Sequence, residues 1–115
     1  MSTRADLRRI ALSLAGTTQA PHFERTAFKV ARIYATLAGD GKTANFKFSP
    51  DEQALKCLVA GDAFAPIPNA WGQKGWTTGT LAKLTVVELR SALEMAWRHA
   101  LPRTPTRKSR TAQKG

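Results

Sequence analysis

Between Thr26 and Ser49 the hydrophobic residues of this chain recur at every second position, and on either side of that stretch they recur every third or fourth. Alternation puts one apolar face on a strand, and the wider spacing puts one apolar stripe on a helix. A chain that switches from one period to the other and back must combine both elements. In "TAFKV" Phe28 and Val30 oppose Lys29; in "IYATL" Ile33, Ala35 and Leu37 oppose Tyr34 and Thr36; in "TANFKFS" Ala44, Phe46 and Phe48 oppose Asn45 and Lys47. Ala31-Arg32 has the length of a tight turn but not its usual residues, whereas "GDGK", from Gly39 to Lys42, has the composition of one. These segments predict an antiparallel meander of three strands, with Lys29, Tyr34, Thr36, Asn45 and Lys47 on its solvent face. A slip of one residue would exchange the faces and turn Tyr34 inward.

The helices are marked by their starts. Thr3 caps "RADLRRIALSLAG", where Leu7, Ile10, Ala11 and Leu14 share a face and Gly16 suits the stop. Ser49, Pro50 and Glu52 form a capping box with proline at the first helical position, and Gly61 closes that helix. Thr85 and Glu88 repeat the box. Leu84 and Leu89 staple the entry, Leu89, Leu93, Ala96, Trp97 and Ala100 form the buried stripe, and Pro102 stops the run. Between the last two helices, "AFAPI" and "GWTTGTL" are short strands joined by the loop "NAWGQK", and Pro66 and Pro68 confine the first to an edge. The order α-β3-α-β2-α, with helices on one side, predicts an α+β two-layer sandwich with an antiparallel sheet.

The chain has 115 residues, enough for one domain. No apolar run approaches the roughly 20 residues of a membrane span, and the charged start "MSTRADLRRI" is unlike a signal peptide. The expectation is a cytoplasmic protein with no membrane partner, monomeric or a weak dimer. A single cysteine, Cys57, excludes an internal disulfide and a multi-cysteine metal site. The net charge is +10, and half of it lies after Pro102, where Arg103, Arg107, Lys108, Arg110 and Lys114 meet no acid and no large apolar residue. Such a segment cannot offset its ordering entropy by burial, so residues 103–115 are expected to be a disordered basic tail behind a domain at residues 1–102.

Little in the sequence points to catalysis. His22 and His99 stand in no metal-ligand spacing; His22 reads as a loop residue and His99 as a cation at a helix C-terminus. Cys57 lies mid-helix as a small boundary side chain, and "GDGKT" is too short for a phosphate loop. No catalytic residue, metal or cofactor is expected. Binding finds more support. Lys29, Arg32, Lys42, Lys47 and Lys74 lie on or beside one sheet face and its turns, where they can follow phosphates without reading bases. Trp76 opens a strand, and its ring is expected in the core or at the sheet edge. Trp71, beside Gly72 in a loop that its glycines leave free to move, is expected to be the more exposed and can stack on a base near Lys74.

The segments "LRRIALSLAGTTQAPHFERTAFKVARIYATL", "FKFSPDEQALKCL" and "GWTTGTL", in that order and ahead of an amphipathic helix, resemble the MmcQ/YjbR family of small bacterial proteins. The resemblance covers roughly residues 4–100 and leaves out the basic tail; Tyr34 stands where the family more often has Phe. It implies the α-β3-α-β2-α fold also seen in type III secretion chaperones. Family members are commonly labelled DNA-binding, from a double-wing interpretation of that fold. The sequence therefore predicts a non-enzymatic nucleic-acid-binding protein, DNA first, without strong sequence specificity. Its site would comprise Lys29, Arg32, Lys42, Lys47, Trp71, Lys74 and the five tail cations. The alternative is a protein-interaction or chaperone-like module that uses the open sheet face for an unidentified protein partner.

Overall fold

The computed structural model of the protein describes residues 1–102. The expectations for Arg103, Arg107, Lys108, Arg110 and Lys114 lie outside the described residues. Both anticipated capping boxes are present, and the expected Thr3 cap proves to be a third. Thr3 and Asp6 open α1 (Arg4–Ser13), Ser49 and Glu52 open α2 (Pro50–Val59), and Thr85 and Glu88 open α4 (Val86–Ala100). In each box the hydroxyl accepts from the third helical N–H and the acid accepts from the cap N–H, so backbone donors that a helix start leaves unpaired are satisfied.

Six strands form one antiparallel sheet: β1 (Thr18–His22), β2 (Arg25–Lys29), β3 (Ile33–Leu37), β4 (Thr43–Lys47), β5 (Phe64–Pro66) and β6 (Trp76–Thr80). They lie in the order β1-β2-β3-β4-β6-β5. The α+β sandwich is the one expected, with a strand more than the alternating pattern marks. That strand, "TQAPH", is exposed along its whole length and pairs only with β2 at the sheet edge. An exposed edge strand needs no apolar face, so it leaves no alternation to read, and Pro21 is tolerated there. A two-residue connection, Phe23-Glu24, joins it to β2, and Phe23 has φ 59° with 94% of its surface exposed.

One face of the sheet carries Phe28, Ala35, Leu37, Ala44, Phe46 and Phe64, all buried, against Leu7 and Ile10 of α1 and Leu89, Leu93 and Ala96 of α4. Phe46 and Phe48 stack with centroids 5.9 Å apart, and Phe64 meets each edge-on at 6.1 Å. Burying side chains of this size stabilises by about 1.5–3 kcal/mol each. By contrast α2 buries no residue completely, and Leu55, Leu58 and Val59 on it are exposed.

The anticipated register fails at one residue. Phe28 faces Ala35 but Lys29 faces Ile33, which leaves Tyr34 as an extra residue in β3. A bulge of this kind turns two successive side chains toward the same side. Tyr34 is therefore fully buried rather than on the solvent face, and Ile33 takes the open side. The Tyr34 hydroxyl reaches the Ala11 carbonyl at 3.4 Å and the Thr17 hydroxyl at 2.9 Å, while burial pushes its pKa up. At the same end of the sheet α4 stops against the β2–β3 turn. The Ala31 N–H donates to the Ala100 carbonyl and the Arg32 guanidinium donates to the His99 carbonyl at 3.0 Å, which satisfies two carbonyls that a helix end leaves open.

Candidate functional site

The face of the sheet turned away from the helices is the candidate site. Its floor comes from alternate residues: Ile33 and Thr36 of β3, Asn45 and Lys47 of β4, and Trp76 and Thr78 of β6, each on the side opposite Phe46 and Thr77. Asn45 accepts from the Thr78 hydroxyl at 2.8 Å across the β4–β6 pair. One hollow of about 450 Å³ lies over this floor between Arg25, Ile67, Trp71 and Trp76. A second, of about 380 Å³, adjoins it at Ile33 and Trp76 and runs past Arg32 and Lys47 to the end of α4.

The wall of the larger hollow is the segment between β5 and β6. It is a short helix, α3 (Ala70–Gln73), where the sequence suggests only a loop. The Asn69 side-chain oxygen accepts the Trp71 N–H at 2.8 Å and starts it. Gln53 of α2 donates to the carbonyls of Gly72 and Trp76, at 2.9 and 3.0 Å. Lys47 donates to the carbonyls of Lys74 and Phe48, at 2.7 and 3.2 Å. The glycines do not loosen this segment. A Cβ on Gly72 would lie 1.7 Å from the Ile67 carbonyl oxygen, and one on Gly75, whose φ is +106°, would lie 1.9 Å from that of Phe48. Both are glycine because backbone passes directly against backbone.

Held this way, Trp71 keeps 58% of its surface exposed, as expected, though on a braced helix and not on a mobile loop. Its ring meets that of Trp76 at 6.5 Å and 78°, and the Lys74 ammonium stands 5.6 Å from its centre, within cation–π range. The expectation for Trp76 needs correcting. It is half-buried on the open face of a central strand, between β4 and β5, and lies outside the hydrophobic core. Core positions in β6 belong to Thr77 and Gly79, so the parity of the strand sends Trp76 the other way.

The predicted cations divide into two groups. Lys29, Arg32, Lys47 and Lys74 gather where β2 and β4 end and β3 and β6 begin. Lys42 lies in the β3–β4 turn at the opposite end of the strands, roughly 15 Å away for five residues at strand rise. Within the cluster Lys29 and Lys74 are exposed, whereas Arg32 and Lys47 also hold main-chain carbonyls. Burial pushes the Lys47 pKa down, the charges of Arg32 and Lys74 add to this, and Glu52 opposes it.

Two site residues escape the sequence pattern. Arg25 opens β2 with its Nε donating to the Thr36 hydroxyl at 2.9 Å and Nη2 to the Thr36 carbonyl at 3.3 Å, and burial lowers its pKa against the opposing charge of Asp40. Extending the β2 alternation back from Lys29 through Ala27 would have put it on this face. His22 ends β1 and lines the larger hollow, so it is a strand residue and not a loop residue. His99 does stand in the last turn of α4, with its Nε2 2.5 Å from Glu52 Oε1. Cys57 is half-buried against the core, and burial raises its thiol pKa. Among the described residues no cluster of three or more His, Cys, Asp or Glu side chains is placed to hold a metal, and no helix is long and apolar enough to cross a membrane.

The fold recurs in solved structures. A Deinococcus radiodurans protein with a DUF419 domain is similar to this chain at 24% identity and TM-score 0.71, over 84% of this chain and 76% of its own. A Pseudomonas syringae protein solved as a structural-genomics target is similar at 15% identity and TM-score 0.67, over 85% of this chain and 98% of its own. At these identities the likeness is one of fold. No curated protein matches the sequence. The family model YjbR matches residues 12–99, most of the chain, and the protein belongs to the YjbR family.

Proposed function

We propose that the protein binds nucleic acid, DNA first, through the open face of its sheet and without chemistry or strong sequence preference. The observation that carries this reading is the convergence of Lys29, Arg32, Lys47 and Lys74 on one end of a face that also presents the Trp71 ring. Cations placed along a surface attract phosphates at any sequence, and an exposed indole adds a stacking surface. The α4 helix ends at the same place: its final carbonyl bonds to Ala31 of the β2–β3 turn. Lys42 is left out of the principal surface by its position.

A salt titration of binding to a short duplex and a single strand tests this. Log affinity should fall linearly with log salt, by about 0.9 per duplex phosphate neutralised. Removing residues 103–115 should flatten the slope and leave weaker binding, and Lys29→Glu with Lys74→Glu should reduce the remainder for all sequences alike. Binding indifferent to salt would overturn the reading, as would binding that disappears entirely with the tail. The competing reading, a protein-interaction module, draws on the exposed Leu55, Leu58 and Val59 of α2, and would be favoured by a partner whose binding Leu58→Glu abolishes.

A further inference from the structure

We propose that the larger open-face hollow is a seat for one unpaired base of a single strand, with a preference for bases that carry keto oxygens. This rests on the nucleic-acid reading and specifies what the site selects.

Its shape comes first. The hollow measures about 450 Å³, within the roughly 300–1,000 Å³ of sites that enclose a small organic group. Its apolar surface is aromatic and branched: Trp71, Trp76, Ile33 and Ile67. The two indoles stand at 78° and 6.5 Å, which makes a corner. A planar group lying on one ring presents its edge to the other. A base inside a duplex offers no free face, so such a corner is usable only by a base outside the stack.

Of the five polar side chains that line the hollow, Arg25, Thr36, Asn45 and Asn69 have donors to spare, and His22 donates or accepts according to its tautomer. The Asn69 oxygen is engaged by the Trp71 N–H, which leaves the Asn69 amide nitrogen to donate. The Thr36 hydroxyl accepts from Arg25 and keeps its own proton. Arg25 has used Nε and Nη2 on Thr36 and retains further N–H groups, with no acceptor of its own. No Asp or Glu lines the hollow. Donors left unpaired in a half-buried apolar site favour a ligand rich in acceptors. Thymine, uracil and guanine carry keto oxygens at the edge where adenine and cytosine carry an amino group. A strand whose base enters here also places its phosphates toward Lys47 and Arg32, because the second hollow continues from the first.

The test uses the full chain with short oligo(dT), oligo(dA), a duplex of equal length and thymidine monophosphate, read by anisotropy and by tryptophan fluorescence. Oligo(dT) should bind about tenfold more tightly than oligo(dA), should exceed the duplex at elevated salt, and should quench tryptophan emission. Asn69→Asp keeps the oxygen that caps α3 and replaces the donor by an acceptor; it should remove the tenfold preference. Gln73→Glu adds the same charge outside this hollow and should preserve it. Trp71→Leu, at an exposed position, should remove the quenching and most of the preference with the fold intact. Equal behaviour of the Asn69 and Gln73 variants, or equal affinity for both homopolymers, would overturn the base seat and leave phosphate binding standing. Absence of binding to every nucleic acid would overturn both. Thymidine monophosphate binding as tightly as the oligomer would make the hollow a free-nucleotide site and overturn the single-strand assignment.

Discussion

The Lys47 ammonium donates to the main-chain carbonyl of Lys74 at 2.7 Å and so ties the last residue of β4 to the end of α3. A residue that reads in sequence as a solvent-facing phosphate contact is in the structure a brace. Its charge still belongs to the basic cluster, but its geometry serves the neighbouring wall of the site.

Lys47→Met keeps the aliphatic stem and removes the donor. It should cost about 1–2 kcal/mol, as for a hydrogen bond from a charged group, and should shift tryptophan emission to the red as α3 loosens. Unfolding curves and emission identical to the parent's would show that the contact does not hold the wall.

Gly72→Ala and Gly75→Ala should each be severely destabilising, by roughly 3 kcal/mol or more, because the added methyl would lie 1.7 or 1.9 Å from a carbonyl oxygen. Denaturant unfolding measures this. A loss below about 1 kcal/mol at either position would mean that α3 can move away from Ile67 or Phe48 at little cost.

Phe23 has φ 59° and contributes almost no burial, so Phe23→Gly should stabilise the protein by about 0.5–1 kcal/mol. Thermal unfolding checks it, and a lower melting temperature would show that the Phe23 ring, 5.0 Å from that of His22, holds the β1–β2 hairpin.

Acid sensitivity should trace in part to Glu52. Partial burial raises its carboxyl, but the Ser49 N–H and His99 outweigh this and hold it below its ordinary value of 4.5. The unfolded chain therefore takes up this proton first. The associated stability is present above about pH 4.5 and is lost as the pH falls through the lowered value of the folded state. Glu52→Gln keeps a capping side chain without the charge. The parent should exceed it at neutral pH by less than about 1 kcal/mol, since the pair is solvent-screened, and the two should converge in acid. A constant gap from pH 7 to pH 3 would remove Glu52 from the acid transition.

The fold was legible where side-chain chemistry and backbone geometry coincide. Ser49, Pro50 and Glu52 can hardly be read except as a helix start, and Phe46 and Phe48 flanking Lys47 as a strand with one buried face. Legibility failed where geometry is set by a distant partner. β1 is a strand because β2 offers it hydrogen bonds, and nothing in "TQAPH" advertises that. Tyr34 turns inward because a bulge absorbs a mismatch between β2 and β3, which no single-strand pattern records. In the site, Trp71 and Lys74 are near neighbours in sequence. Arg25 and Asn69 line one hollow from segments more than forty residues apart, and Lys42 reads in sequence like the other cations, from which only the path of the strands separates it.

The backbone approaches at Gly72 and Gly75 have a thermodynamic meaning for whatever reaches the open face. A side chain on a loose loop must give up conformational freedom when it grips a ligand, and that loss is subtracted from affinity. The backbone that carries Trp71 has surrendered its share during folding, since Asn69, Gln53 and Lys47 fix the turn. The backbone of this corner is therefore preorganised, and a base that docked there as proposed would meet it already folded.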